Sequence, residues 1–195
     1  MNKKDLEGRD LLLTLLYLPG VSPEVNEPIR GRTKIMKMIY IFEKELYGKF
    51  NNIKLKKLPS FFAYNFGPFS KDLADDLKFF CSIKFIKEDY LDEPMSEVEL
   101  EEYCYDMVND YEYSNDVETC VGEGQNIVNY SLTEKGVKYV KENILNLFNE
   151  EQTTVLKMLK RKINELSLDA ILNYVYNKYP ESAKKSKIKD KYLKV

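Results

Sequence analysis

Apolar positions along this chain switch between helical and extended spacing, and Pro and Gly mark the breaks. Leu6–Leu18 is dense in leucine and stops at Pro19-Gly20, which predicts a first helix. Val21–Gly31 holds Pro23, Pro28 and Gly31 and reads as a loop. Thr33 then sits where a cap belongs. Beyond it Ile35, Ile39, Phe42 and Leu46 recur at i, i+4, i+7 and i+11, one face of a helix ending at Gly48. Phe61–Phe66, between Pro59 and Gly67-Pro68, reads as an extended segment. Ser70 opens a helix with Leu73, Leu77 and Phe80 on its inner face. Ile83–Tyr90 and Ile127–Leu132 read as strands, the second ending at Thr133, where a helix carrying Val137, Val140, Ile144 and Phe148 begins. Helices over Thr153–Asn164 and Ser167–Tyr179 follow, then Pro180 and a tail containing Lys184, Lys185, Lys187, Lys189, Lys191 and Lys194.

This order predicts a mainly α fold with a small β-hairpin. Residues 1–148 would form a winged-helix-like core, with an insert at about 91–125 as the hairpin's loop, and 149–195 a C-terminal helical extension with a basic tail. Charge singles out the insert. Leu91–Gly124 contains 12 acidic residues and no Lys or Arg; elsewhere 30 basic residues face 20 acidic ones, so the body carries +10 although the whole chain is at −2. Within the insert, Ser96 and Glu99 fit a capping box, and Leu100, Cys104, Met107 and Tyr111 repeat at helical spacing. A short acidic amphipathic helix over Ser96–Asp110 is the expectation.

Three segments resemble one known family. Gly31-Arg32-Thr33-Lys34-Ile35-Met36-Lys37-Met38-Ile39-Tyr40, Tyr64-Asn65-Phe66-Gly67-Pro68-Phe69-Ser70-Lys71-Asp72-Leu73 and Tyr130-Ser131-Leu132-Thr133-Glu134-Lys135-Gly136 are similar to motifs of the Panacea (SocA-type) antitoxin-like domain and its YwgA-like relatives. Tyr174–Glu181 is similar to segments that follow that core. Met36 stands where the family usually has Gln, and the insert is longer and more acidic than usual. The resemblance implies a regulatory, antitoxin-like binding role and carries no established catalytic set.

The remaining chemistry narrows the function classes. There is no histidine, which removes the commonest general base and both Ser-His and Cys-His pairs. Cys81, Cys104 and Cys120 are odd in number and widely spaced, the pattern of reduced thiols and not of a disulfide framework or zinc knuckle. Asp110, Glu112, Ser114, Asp116 and Glu118 echo a calcium loop, but Asn115 and Val121 occupy the positions that require Gly and bidentate Glu. Gly67-Pro68-Phe69-Ser70 is a rigid turn before a Ser cap, lacking the successive free N–H groups of a phosphate loop. The longest apolar run, Leu11–Leu18, is too short to cross a bilayer, so a cytoplasmic protein is expected.

Two binding surfaces stand out. Glu97, Glu101, Glu102, Tyr103, Asp106, Tyr111 and Tyr113, with Tyr105 among them, combine carboxylates with amphipathic rings and suit a basic protein partner. Arg30, Arg32, Lys34 and Lys37 form a basic cluster at a helix start, either a solvated face or a phosphate-binding site. The helix after Ser70 carries Lys71, Asp72, Asp75, Asp76 and Lys78, a sum of −1 that opposes a major-groove role. The expectation is a non-enzymatic, cofactor-free regulator that restrains a basic, toxin-like protein. A DNA-binding regulator using the basic cluster is the alternative, and a homodimer stays open.

Overall fold

Local signals in the sequence start most helices where they should, and tertiary pairing adds short strands that no local pattern announces. The computed structural model describes residues 5–50, 53–101 and 127–193. A first strand, β1 (Asp5–Glu7), leads into α1 (Gly8–Tyr17). After the Pro-rich loop come β2 (Ile29–Arg30) and α2 (Arg32–Ile41), which runs on as a π turn over Phe42–Leu46 and a 3-10 turn over Tyr47–Phe50. β3 (Lys54–Lys56), β4 (Phe62–Tyr64) and β5 (Gly67–Phe69) precede α3 (Lys71–Ser82) and β6 (Ile86–Leu91). A helix begins at 97 and is described to 101 (α4). Beyond the insert, β7 (Ile127–Leu132) leads to α5 (Glu134–Tyr139) and its π turn Val140–Ile144. The chain ends with α6 (Glu150–Glu165), α7 (Leu168–Lys178) and α8 (Lys189–Tyr192).

The architecture is mainly helical with a small antiparallel sheet in the order β2-β7-β6. Its register pairs Ile29 with Tyr130 and runs from Ile86↔Leu132 to Leu91↔Ile127. The Val21–Gly31 segment, expected to be all loop, therefore yields a two-residue strand. Asn26, in the left-handed region at φ 64°, fixes it there: its side-chain oxygen accepts the Leu132 N–H (2.7 Å) and its amide donates to the Leu132 carbonyl (2.9 Å). β1 pairs with β3 in parallel, and β4 with β5 as a hairpin.

Ser70, Thr133 and Ser167 each accept a backbone N–H three residues on, opening α3, α5 and α7 as expected. α6 starts at Glu150, ahead of Thr153, because Asn149 and Gln152 form a reciprocal capping box (2.8 and 3.1 Å). One buried cluster runs from Leu6 to Ile188 and includes Leu12 and Leu16 of α1, Ile39 of α2, Leu77 of α3, Leu156 of α6 and Leu172, Val175 and Tyr176 of α7. The C-terminal helices thus share their core with the segment before them. Tyr176 packs so tightly on β5 that a Cβ at Gly67 (φ +85°) would lie 2.5 Å from its ring. Among the described residues, no helix is long and apolar enough to cross a membrane.

Candidate functional site

The fold brings Arg30 of the basic cluster onto the root of the acidic insert, at Glu93 and Glu99. β6 ends at Leu91, and the chain turns at Pro94 into α4, where Ser96 and Glu99 form the expected capping box: Ser96 N–H to Glu99 Oε2 at 2.9 Å and Glu99 N–H to Ser96 Oγ at 3.3 Å. Val98 is the side chain that docks, at 1% exposure, whereas Leu100 is half-buried. Cys104, Met107 and Tyr111 of the expected inner face lie outside the described residues. Arg30, at the end of β2, reaches this root. Its Nε meets Glu99 Oε1 at 2.9 Å, Nη1 meets Glu93 Oε2 at 2.5 Å and Nη2 meets the Pro94 carbonyl at 3.3 Å. Burial alone would raise the Glu99 carboxyl; hydrogen bonds from Arg30 and Ser96 hold it below the usual range. The hydrogen bond to Glu99 in turn raises Arg30.

Glu97 points the other way, to Lys191 Nζ of α8 at 2.6 Å, and Glu101 is exposed. Glu102, Tyr103, Asp106, Tyr111 and Tyr113 lie outside the described residues, as do Tyr105 and the calcium-like stretch from Asp110 to Val121.

Two of the four cations at the start of α2 are interior and not solvated, while Arg30 and Arg32 are half-exposed. Lys34 and Lys37 are 7% and 2% exposed. Lys34 Nζ donates to the Leu166 carbonyl at 2.6 Å, just past the end of α6, and Lys37 Nζ donates to the Pro68 carbonyl at 3.0 Å. A helix C-terminus leaves carbonyls without intrahelical donors, and a lysine on a facing helix satisfies them. Burial lowers Lys34, with Glu99 pulling it back and Arg30 adding to the depression. Arg32 remains half-exposed. A third lysine, unmarked by any sequence signal, follows the same logic. Lys160 of α6 is fully buried and donates to the carbonyls of Leu16 (2.9 Å), Leu18 (2.6 Å) and Glu27 (2.6 Å), tying α6 to the end of α1. Burial pushes its ammonium down to about 7, against the Glu27 carboxylate.

No protein-family model, curated protein or solved structure matches this chain. Cys81 is half-buried, and burial followed by repulsion from Glu88 pushes its thiol up to about 11, which makes it a poor nucleophile. Among the described residues, no group of three His, Cys, Asp or Glu side chains could hold a metal ion. The outer side of α3 exposes Lys71, Asp72, Asp75, Lys78 and Phe79, with Asp76 half-buried beside them. Burial raises Asp76, and Arg9 opposes the rise.

A groove that the periodicity of single elements does not mark lies at the far end of α2. The π turn, α6 and the start of α7 enclose about 700 Å³ lined by Ile41, Leu46, Val155, Met158, Leu166 and Tyr174. At its rim Glu45 accepts the hydroxyls of Tyr174 (2.7 Å) and Tyr179 (3.0 Å) and the Lys178 ammonium (3.0 Å), which hold its carboxyl low against its burial. The available signal was Met158, an apolar residue 66% exposed on the outer face of an otherwise charged helix.

Proposed function

We propose that this chain is a cytoplasmic, non-enzymatic regulator, antitoxin-like in role, that binds and restrains a basic protein partner through its acidic insert. The proposal includes a winged-helix-like core. In its support, the helices α1, α2 and α3 precede the antiparallel pair β6 and β7, β2 pairs on β7, and the insert lies between β6 and β7. The residues behind the resemblance to Panacea domains serve the fold. Lys37 of the first motif bonds Pro68 of the second, Gly67 accommodates Tyr176, and Thr133 caps the helix containing Gly136. A partner-specific surface belongs outside those motifs, and the insert is such a surface.

The observation that carries the reading is the fate of the cations. Arg30 is taken by Glu93 and Glu99, and Lys34 and Lys37 by carbonyls, so the cluster offered by the DNA-binding alternative is largely used inside the fold. The outer side of α3, where a groove-reading helix would need positive charge, carries Asp72, Asp75 and Asp76. Reversing Glu97, Glu101, Glu102 and Asp106 to Lys tests the reading. The ion pair of Glu97 with Lys191 is at the surface and contributes about 1 kcal/mol or less, so the fold should survive. The expected result is that a basic protein captured from native cells by the wild type is lost by the variant, and that its affinity for the wild type falls with salt. Unchanged capture, together with tighter DNA binding by the variant, would refute it.

A further inference from the structure

The groove beside Met158 has Lys49, Arg161 and Lys162 on its rim against Glu45 and Glu165, and the charge left over after internal pairing is basic. Lys49 stands at one side, and Lys157, Arg161 and Lys162 line the exposed face of α6 around Met158. Two carboxylates share the rim, and both are engaged: Glu45 by Tyr174, Tyr179 and Lys178, and Glu165 by Arg161 at 2.8 Å. The ammonium groups of Lys49 and Lys157 have no acidic partner among the described residues, and Lys162 lies 5.5 Å from the centre of the Tyr174 ring. An apolar floor within a basic rim selects an occupant that is apolar along one stripe and acidic along its flanks.

We propose that this groove is a second docking surface, independent of the insert, and that it takes an amphipathic helix with carboxylate flanks from a partner protein. Its walls are helices, so the complementary shape is another helix set ridge into groove. From Val155 to Leu166 the α6 wall extends about 17 Å at 1.5 Å per residue, room for about three turns. Such a segment would bring apolar side chains at i, i+3 or i+4 and i+7 onto Ile41, Leu46 and Met158, with its acids facing Lys49 on one side and Lys162 on the other. The protein then presents two faces of opposite sign, an acidic insert and a basic-rimmed groove, and can bridge two partners.

Fluorescence anisotropy on the full chain tests this. The probe is a labelled synthetic helical peptide of about 18 residues, with Leu at i, i+3, i+4 and i+7 spacing and Glu on both flanks. Control peptides carry Lys flanks, or Ser in place of Leu. Saturable binding of the Glu-flanked peptide is expected, weakened at least tenfold by Lys flanks, by Ser, and by Met158→Asp or Lys162→Glu in the protein, and weakened by salt. Both substituted side chains are exposed, and matching melting curves would show that the fold is intact. The proposal is overturned if the Glu-flanked peptide fails to saturate, if the Lys-flanked peptide binds equally well, or if neither substitution weakens binding. It is also overturned if the wild type sediments as a dimer that Met158→Asp dissociates, because the occupant is then a second copy of this chain.

Discussion

Replacing Lys160 by Met should destabilise the protein by an amount that grows with pH. The side chains are similar in volume, so the change removes three donors without opening a large cavity. The carbonyls of Leu16, Leu18 and Glu27 lose their partner at once. Each unsatisfied buried carbonyl costs roughly 1–3 kcal/mol. Against that, the variant avoids the several kcal/mol that burying an ammonium costs, and a net loss of about 2 kcal/mol at pH 7 is expected. The pH term has a definite sign. Lys160 is lowered to about 7 in the fold, while an unfolded lysine keeps its proton up to about 10.4. Between those values unfolding takes up a proton, so wild-type stability rises with pH, by about 2 kcal/mol from pH 7 to pH 9 for this residue. The neutral amine still has two N–H donors for the three carbonyls. The variant lacks this rise, and the gap should widen to about 4 kcal/mol at pH 9. Urea denaturation of both proteins at pH 7, 8 and 9 measures it. A gap that stays constant with pH would mean that the three carbonyls keep the ammonium charged, and the argument from burial would fail.

Arg30→Ala should release the root of the insert. Hydrogen exchange at the amides of Glu99 and Leu100 should speed up, while the melting temperature falls by only a few degrees, since the pairs to Glu93 and Glu99 are partly exposed. Excising 102–125 should leave the melt unchanged, whereas excising 92–123 should lower stability by roughly 1.5–3 kcal/mol, the burial of Val98, with Arg30 left unpaired. Gly136→Ala should be strongly destabilising, on the order of 3 kcal/mol in thermal or urea denaturation, because a Cβ there runs into the Phe85 carbonyl oxygen, a backbone atom that cannot swing aside.

Most caps and helix faces were legible because they are local; the exception is Thr33, expected as a cap but buried inside α2, whose N-cap is Gly31 at positive φ. Ser70, Thr133 and the Ser96–Glu99 pair act where sequence spacing places them, and Ile39 and Leu77 are buried on the faces their periodicity indicated. What stayed hidden depends on neighbours distant in the chain. Ile29–Arg30 is a strand only because Tyr130 and Asn129 lie beside it. Lys34, Lys37 and Lys160 look like surface residues until the open carbonyls of Leu166, Pro68 and Leu16 are brought next to them. The partners of Arg30 are 63 and 69 positions away, and the groove requires α2, α6 and α7 together. Pattern reasoning finds surfaces on single elements. It does not find pairings that cancel a charge or hollows shared among helices.

The pairing of Leu91 with Ile127 also bears on how such a protein can diversify. The chain leaves the body and returns to it at facing positions of one strand pair, so the closure distance is set by the sheet and not by the length of what lies between. Lengthening a flexible loop between fixed ends costs little, about 0.6 kcal/mol per doubling. The body can therefore act as a scaffold: a lineage can vary the length and composition of the segment beyond Val98 while the buried lysines, caps and glycine contacts beneath go on specifying the same fold.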